Sequence, residues 1–337
     1  GKVTYSTLEC DTGVVQADAV TLDEADSIRR AASFHSDLVT RAASETRSLR
    51  ELGAGLIVGD IPPLAFAVGA SAGIPSIGLG NFTWDWIYAD YPRVRLAPSL
   101  LPAIRGAYAK ASMALRLPMS GGFESFSNVR DIPFIARHAS RTRDEVCKLL
   151  KIPADKPIVL SSFGGSGLSS IDTEVLTKLR KYTVIMTTMA PAARVKKDTP
   201  AAERKGSLVT INEEAMYNIG VRYEDLVGAS EAVVTKPGYG IISECIANDA
   251  AVLYTPRGHF PEYDVIVEEM PKHLRSALIG HDDLNAGKWE GALDKLLAQP
   301  KQKKKPETNG AEMAADILLK ALDKPPKKPR GRPKAKV

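Results

Sequence analysis

The chain has 337 residues, 44% of them hydrophobic and 25% charged, which is typical of a globular protein large enough for two domains. Seven of its 45 Lys and Arg residues lie in 324–337, so the net charge of +5 belongs to the end of the chain and the remainder is about neutral. This distribution excludes a cationic nucleic-acid-binding surface over the whole protein, and no apolar run approaches the roughly 20 residues that span a bilayer.

The spacing of the cysteines predicts whether the protein binds a metal, and the first residues predict its cellular location. Cys10, Cys147 and Cys245 are far apart and lack metal-ligand spacing, so we expect reduced thiols and no metal site. No basic segment followed by an apolar block opens the chain, and a cytoplasmic protein is therefore expected. Residues 2–8 have the pattern of a strand without a glycine-rich turn beside it, so we expect the N-terminus to be incomplete.

The first half of the chain alternates helical and strand patterns. Residues 22–52 are charged, with apolar residues at helical spacing, and predict one or two helices. Strands are predicted at 55–60 and 74–79, and helices at 64–72 and 100–115. This alternation predicts a parallel sheet that is covered by helices on both faces.

The second half repeats the alternation after a looser segment at 128–156. A strand at 158–162 and a helix at 171–181 open it. Further strands are predicted at 183–187, 208–211, 232–234, 251–254 and 277–279, and the last helices at 288–298 and 311–322. We therefore predict domains at 1–137 and 157–322, a connection at 138–156, and a disordered basic tail at 323–337 that has too few apolar residues to fold.

The segment 235–244 is the most informative of the chain. It follows the apolar run 232–234, and its glycines, Gly238 and Gly240, predict a tight turn before a helix. A strand, a glycine turn and a helix N-terminus together present free backbone N–H groups that suit an anion. Glu244 comes about one turn into the helix, where its carboxylate can accept hydrogen bonds from a sugar diol.

A second glycine turn follows the strand at 158–162. Gly164 and Gly165 would let a phosphate approach the backbone, and Ser166 adds a hydroxyl donor. The turn is not a Walker A loop, because no Gly-Lys-Ser/Thr follows. A sharp corner without a ligand is the alternative, but two such turns at strand ends converge on one crevice, which favours phosphate binding.

Further candidate ligands for a sugar follow the strand at 251–254. Arg257, His259, Glu262 and Asp264 bring donors and acceptors to one loop, a mixture that suits sugar hydroxyls. The alternative is a surface loop with an accidental histidine. Lys236 would be a partner for phosphate, although a lone lysine at a strand end is more often solvated.

Two acids at predicted strand ends of the first half are candidate catalytic bases. Asp85 lies in the aromatic segment 81–86, whose rings suit stacking on sugars or apolar groups. Asp60 ends the strand at 55–60. The alternative interpretation is structural, with the aromatic side chains filling a seam between domains.

The tail contains Arg330, Gly331 and Arg332 flanked by prolines, which resembles an AT-hook. Such a peptide lays its arginines in the narrow, electronegative minor groove of A·T-rich DNA. A weak DNA contact through the tail is one hypothesis. The alternative is a basic tail that arose by compositional drift.

With these segments identified, the chain resembles GT-B glycosyltransferases, and its second half is similar to the transferase that adds N-acetylglucosamine to the lipid precursor of peptidoglycan. Residues 5–322 more closely resemble the glycosyltransferase-like N-terminal domain of L-arabinokinase and its stand-alone bacterial relatives. The segments that carry this resemblance are 10–18, 59–65, 81–88 and 236–240 with Ser243-Glu244.

The resemblance implies two Rossmann-like domains with parallel sheets facing across a cleft, and a nucleotide-sugar donor in the second domain. It implies that Glu244 binds the ribose, that 164–166 and Gly238 lie against the diphosphate, and that 259–264 faces the donor sugar. The related transferase has glutamines where this chain has Tyr263 and Asp264, so the donor sugar stays open. The family's first strand and glycine-rich loop have no counterpart, and the resemblance does not extend to the kinase activity.

We therefore expect an inverting, metal-independent GT-B transferase that moves a glycosyl group from a UDP-sugar to an acceptor hydroxyl, without a cofactor. The acceptor is open. The alternative is a non-catalytic nucleotide-sugar-binding regulatory module, tethered to A·T-rich DNA through the tail.

Overall fold

The computed structural model describes residues 3–16, 21–163, 170–188 and 199–323, and they form two compact units. Of the described residues, the first unit contains 3–13, Glu24–Ile132 and 312–323. The second contains Val14–Asp23 and Pro133–Ala311, so the predicted connection at 138–156 belongs to it. The predicted disordered tail lies outside the described residues from 324 onward.

The first unit is a four-stranded parallel sheet with helices, in the strand order β3-β4-β5-β6. The short antiparallel pair before it, β1 (Val15–Gln16) and β2 (Leu22–Asp23), belongs to the second unit. In chain order the first unit's elements are α1 (Glu24–Ser36), α2 (Leu38–Glu51), β3 (Ile57–Gly59), α3 (Pro63–Ala72), β4 (Ser76–Phe82), α4 (Trp84–Asp90), α5 (Leu100–Tyr108), β5 (Met113–Gly121) and β6 (Val129–Asp131).

The charged segment 22–52 forms two helices, α1 and α2, and their apolar residues face the core. Phe34, Leu38 and Ala42 recur at helical spacing and pack against Leu64 and Val68 of α3. The amphipathic pattern therefore identified both the helices and their buried face.

The predicted helix at 100–115 is too long. Helix α5 ends at Tyr108, and Met113–Gly121 is the strand β5, which pairs with β4 on one side and β6 on the other. A short apolar run next to a helix is not assigned by periodicity alone, and Pro118 is unusual in a strand with two neighbours.

Two other predictions are corrected: residues 3–8 have no regular structure, and 171–181 holds only a single helical turn.

The second unit is a seven-stranded sheet in the order β13-β12-β11-β7-β8-β10-β9, parallel except for the edge strand β9. Its elements are α6 (Arg143–Leu150), β7 (Ile158–Ser162), α7 (Thr173–Leu176), β8 (Thr183–Thr188), β9 (Ala202–Lys205), β10 (Leu208–Asn212), α8 (Glu213–Asn218), α9 (Tyr223–Ala229), β11 (Ala232–Thr235), α10 (Tyr239–Asn248), β12 (Ala251–Tyr254), α11 (Pro261–Glu269), β13 (Ser276–Leu278), α12 (His281–Asn285) and α13 (Glu290–Leu297).

The six parallel strands of this sheet follow the order of a Rossmann fold. Counted from β7, they run 3-2-1-4-5-6 across the sheet, and the direction of succession reverses between β7 and β11. The apolar residues of these two strands, 158–160 and 232–234, are completely buried, as expected for a sheet covered on both faces. Trp289 is completely buried below the sheet and donates from Nε1 to the carbonyl of Leu284 at 2.9 Å.

The last helix, α14 (Gly310–Leu322), belongs to the first unit from Glu312 onward. No helix in the described part of the chain has the length and apolar character to cross a membrane.

Candidate functional site

A cavity of about 340 Å³ opens at the carboxyl edge of the second unit's sheet. Strands β7, β8 and β10 contribute residues at or just after their ends, and α10 contributes its first turns. The cavity therefore lies at the reversal of strand order, where open α/β sheets bind ligands, and its volume is in the usual range of roughly 300–1,000 Å³. Its lining residues are Arg137, Ser162, Thr187, Glu213, Tyr217, Tyr223, Gly240, Ile241 and Glu244.

The turn between β11 and α10 presents bare backbone to open space. Neither Gly238 nor Gly240 has a positive φ, and apart from the adjacent residues and the nearby backbone of α10, no atom of the described chain lies within 4 Å of a Cβ added at either position. The turn therefore does not need glycine for its own conformation. The N–H groups of the first turn of α10 lack partners within the helix, and the N-cap residue Gly238 has no side chain to cap them. A turn of this kind can accept a phosphate directly against its backbone.

Hydrogen bonds fix this turn to the neighbouring strand. The Thr235 hydroxyl lies 2.5 Å from the carbonyl oxygen of Ser162 and 2.9 Å from that of Lys236. The ends of β7 and β11 are thereby held together at the carboxyl edge.

Glu244 lies in the cavity, one turn into α10, with 6% of its surface exposed. The Arg137 guanidinium donates from Nε to Glu244 Oε1 at 2.5 Å, Nη2 lies 2.5 Å from the same oxygen, and Nη1 lies 3.3 Å from Glu224 Oε2. Burial raises the pKa of the Glu244 carboxyl, and Arg137 counteracts this rise. The predicted ribose ligand is therefore a buried carboxylate at the cavity wall, already paired with a cation.

Arg257 connects the predicted sugar loop to the glycine turn. Its side chain is 9% exposed, its guanidinium lies 4.5 Å from the Phe260 ring centroid, and Nη1 is 3.5 Å from the carbonyl oxygen of Pro237. Glu262 is buried with Oε2 3.9 Å from Arg257 Nη1, whereas His259 is exposed.

The remaining predicted ligands have different environments. Asp264 is exposed on α11, and Lys236 is half-buried beside the turn. Ser243 is buried, and its hydroxyl donates to the Gly240 carbonyl at 3.0 Å within α10. The remaining predicted site residues, Gly164, Gly165, Ser166, Arg330, Gly331 and Arg332, lie outside the described residues.

In the first unit, Asp85 is integrated into the fold. It is 5% exposed in the first turn of α4, and its Oδ2 accepts bonds from Arg105 Nε at 3.2 Å and Ser125 Oγ at 2.8 Å. Its Oδ1 is buried and has no hydrogen-bond partner among the described residues. These contacts anchor the carboxylate and leave it poorly accessible to an acceptor.

Asp60 differs from Asp85 in exposure and surroundings. Its side chain reaches solvent directly after β3, but the surrounding protein partly desolvates the carboxyl group, and this desolvation together with the nearby Asp11 raises its pKa. The next residue, Ile61, has a φ of 61°, which is strained for a β-branched side chain. The Tyr108 hydroxyl donates to the Ile61 carbonyl at 2.9 Å and helps to hold this conformation. Strain of this kind clusters at functional sites.

Asp11 is a candidate residue that the sequence analysis did not single out. Its Oδ2 accepts from Trp84 Nε1 and its Oδ1 from the backbone N of Gly13, both at 3.2 Å. The Tyr88 hydroxyl donates to the Gly13 carbonyl at 2.7 Å, so this segment is held on the aromatic face of α4. Burial raises the pKa of Asp11. The segment 10–18 had been noticed only for its resemblance.

Of the nine lining residues named above, the sequence analysis predicted Gly240 and Glu244 and missed the other seven, among them Arg137, Tyr217 and Tyr223. Arg137 and Tyr217 belong to segments that carried no motif, and Tyr223 opens a helix whose role the sequence did not indicate. The Tyr223 hydroxyl donates to Ser162 Oγ at 2.7 Å, and burial raises the pKa of this tyrosine to about 12. A tyrosine or arginine in a loosely patterned segment is too common a signal to predict a site.

Comparison with known proteins gives one sequence relative. No protein-family model matches the chain. L-arabinokinase of Arabidopsis thaliana is 28% identical over 317 residues, which are 91% of this chain. The chain spans 28% of the length of that protein.

Solved structures with the same architecture are glycosyltransferases. The calicheamicin glycosyltransferase CalG4 matches with a TM-score of 0.56 and 14% identity, covering 86% of this chain and 80% of its own. The glycotransferase of kitacinnamycin has a TM-score of 0.52 at 17% identity, with coverage of 91% and 81%. UGT2 of Phytolacca americana has a TM-score of 0.51 at 13% identity, with coverage of 86% and 76%. The fold of this protein is that of the GT-B glycosyltransferases.

Proposed function

We propose that the protein binds a nucleoside-diphosphate sugar in the cavity of the second unit and transfers the glycosyl group to an acceptor hydroxyl. The observation that carries this proposal is the buried Glu244 carboxylate in a cavity at the reversal of strand order, next to the bare turn at Gly238 and Gly240. An acceptor-only carboxylate suits a ribose diol, and free amides at a helix N-terminus suit a diphosphate.

The cavity offers a place for each part of the donor. The ribose hydroxyls would donate to Glu244, and the base would lie beside Tyr217 in the same cavity. The diphosphate would lie at the start of α10, with Lys236 and Arg257 close to the same turn. These charges and amides would stabilise the departing diphosphate without a divalent ion.

Uridine is the proposed nucleoside. The Phytolacca americana UGT2 structure contains UDP-2fluoro-glucose, and another structural neighbour is a UDP-glucosyltransferase of Polygonum tinctorium. Both have the fold of this chain, which supports a UDP-sugar donor. The donor sugar and the acceptor stay open.

For the catalytic base we propose Asp60 before Asp85. A base has to reach the acceptor hydroxyl and works best with a pKa near the working pH. Asp60 is exposed and its pKa is raised, while Asp85 is buried with Oδ2 engaged by Arg105 and Ser125. A single displacement with this base would invert the anomeric configuration.

The decisive experiment is thermal unfolding with a nucleotide panel. At a UDP concentration 100-fold above Kd, binding should stabilise the folded state by about 2.7 kcal/mol, and the Glu244→Ala variant should lose this effect. Glu203→Ala is the matched control, because Glu203 is exposed on the edge strand β9 and outside the cavity. A melting temperature that responds to no nucleotide in the wild type would refute the proposal.

The second candidate function is nucleotide-sugar binding without transfer, as a regulatory module. The engagement of Asp85 with Arg105 and Ser125 favours it, because one of the two predicted bases is thereby held within the fold. Release of UDP from a UDP-sugar in the presence of an acceptor panel distinguishes the two functions. Binding without any release supports the module.

A further inference from the structure

In the part of the chain that the structure describes, the contacts to the Glu244 carboxylate are made through one of its oxygens. Both contacts of the Arg137 guanidinium go to Oε1, at 2.5 Å. Among the described residues no hydrogen bond to Oε2 is found, so this oxygen can accept bonds from a ligand in the cavity. One carboxylate has enough lone pairs to serve the guanidinium and a diol together.

The chain around Arg137 is fastened to the helix that carries Glu244. Asn248, one turn further along α10, donates from Nδ2 to the carbonyl oxygens of Arg137 and Glu244, at 3.0 and 2.9 Å. Its Oδ1 accepts from the backbone N of Ala139 at 2.8 Å. The backbone of Arg137 therefore has a fixed position relative to the carboxylate that its side chain binds.

A second attachment fixes the same segment to α9. The buried Asp225 carboxylate accepts from the backbone N groups of Ser140 and Arg141, at 2.7 and 3.1 Å. Gly228 of α9 comes so close that a Cβ there would lie 2.5 Å from the Cβ of Ala139. The segment 137–141 is thus bound to two helices by its backbone, and the guanidinium is delivered to the cavity by a rigid support.

We propose that Arg137 is a positioning residue for the donor: it holds and orients the Glu244 carboxylate through Oε1, so that Oε2 accepts hydrogen bonds from the 2′ and 3′ hydroxyls of the ribose. This inference rests on the proposed function, since it assumes that Glu244 binds the ribose. The position of Arg137 explains how a carboxylate that is buried in the cavity wall can still accept hydrogen bonds from a ligand.

The charges around Glu244 show why a cation is needed. Burial raises the pKa of its carboxyl group, and Glu224 raises it further. Other groups of the cavity are acidic or neutral, and Arg137 is the cation among the lining residues within the described chain. The charged and titratable groups facing this region are Arg137, Glu213, Tyr217, Arg222, Tyr223, Glu224 and Cys245, with Arg222 lying over the Tyr217 ring at 5.4 Å.

Removal of Arg137 should therefore make ribose binding depend on pH. Without the guanidinium the pKa of Glu244 rises, so a larger fraction is protonated and a protonated carboxyl is a poorer acceptor. The loss of ribose binding in the variant without Arg137 should be greatest at low pH, and it should disappear as rising pH ionises the Glu244 carboxyl group. Arg137 is 59% exposed, so the substitution removes little packing.

The test is the affinity for UDP and for 2′-deoxy-UDP from pH 5.5 to 9, measured by calorimetry. The ratio of the two affinities isolates the ribose contact, because titration of the phosphates affects both ligands alike. We expect the wild type to prefer UDP by about tenfold over the whole range, the size of one hydrogen bond to a charged group. Arg137→Ala should lose this preference at pH 6 and regain it at high pH, and Arg137→Lys should keep it.

The possible outcomes separate this inference from the proposed function. Failure of wild-type UDP binding would overturn both. A wild type that prefers UDP, with an Arg137→Ala variant that weakens both ligands equally at every pH, would show a direct contact to phosphate or base and overturn the inference alone. An unchanged preference in Arg137→Ala would also overturn it. If Arg137→Ala fails to fold, the Arg137→Gln variant supplies the same comparison.

Discussion

Both units place polar residues at the carboxyl edge of a parallel sheet, but the two edges are built differently. In the second unit a glycine turn and a buried carboxylate border an open cavity. In the first unit the acids are bonded to their neighbours, Asp11 to Trp84 and Asp85 to Arg105 and Ser125. The second edge therefore leaves space for the proposed ligand, whereas hydrogen bonds hold most acids of the first edge in place and leave Asp60 exposed.

The largest effect is expected for Asp60→Asn, which separates catalysis from donor binding. If Asp60 is the base, transfer should fall by about 10²–10⁴-fold, while the affinity for UDP stays unchanged. Initial rates and UDP titrations on the same preparation measure both quantities. Normal transfer by this variant would show that Asp60 is not the catalytic base and would leave Asp85 as the other candidate.

Replacing one glycine at the carboxyl edge of each sheet by alanine tests this comparison between the two edges through protein stability. Gly122 has a φ of 83°, and an added Cβ would lie 2.1 Å from Thr83 Oγ1, so Gly122→Ala should destabilise the protein by about 3 kcal/mol. Gly238→Ala meets open space and should leave stability within about 0.5 kcal/mol while weakening UDP binding. Denaturant unfolding and UDP titration distinguish the two; equal stability losses would show that the second turn is also structural.

Asp85→Asn should have a moderate effect, on stability rather than on turnover. The variant loses the ion pair with Arg105 and alters the bond from Ser125, which should cost about 1–3 kcal/mol for a buried polar group. Transfer per folded molecule should stay within a few-fold of the wild type. A loss of transfer beyond 100-fold with unchanged unfolding would mean that the buried acid is catalytic.

The smallest expected effect concerns pH. The folded-state pKa values of Asp11 and Asp60 are raised, so these groups bind more protons in the folded than in the unfolded state. Their contribution to stability is therefore favourable at low pH and is lost as pH rises from about 4 through the raised pKa values. Asp60→Asn should flatten this part of the stability profile, as measured by denaturant midpoints from pH 3.5 to 7; an unchanged slope would contradict it.

Features that depend on neighbouring residues in the sequence were predicted, and features that depend on contacts between distant parts of the chain were missed. The buried strands 158–162, 232–234 and 251–254 were identified because apolar runs between turns are local signals. Glu244 was predicted as a candidate ligand-binding residue because its place after a glycine turn is also a local signal, and the structure places it in the cavity. Strand β5 was missed, since its assignment depends on neighbours on both sides that come from distant parts of the chain.

The hydrogen-bond partners of the site residues could not be predicted from the sequence for the same reason. Arg137 is 107 residues from Glu244 along the chain, and Asp11 is 73 residues from Trp84. Only folding brings these pairs together, so no spacing predicted them. The engagement of Asp85 likewise depends on Arg105 and Ser125, which belong to other elements.

The attachment of 137–141 to α9 and α10 has a consequence for dissecting the protein into fragments. A fragment cut at Pro157, the start of the predicted second domain, would remove Ser140 and Arg141 and leave Asp225 buried with fewer donors. It would also deprive Asn248 of two of its three bonds to the rest of the chain. A recombinant form of the second unit should therefore begin no later than Pro133, where the longer of the two segments of this unit begins.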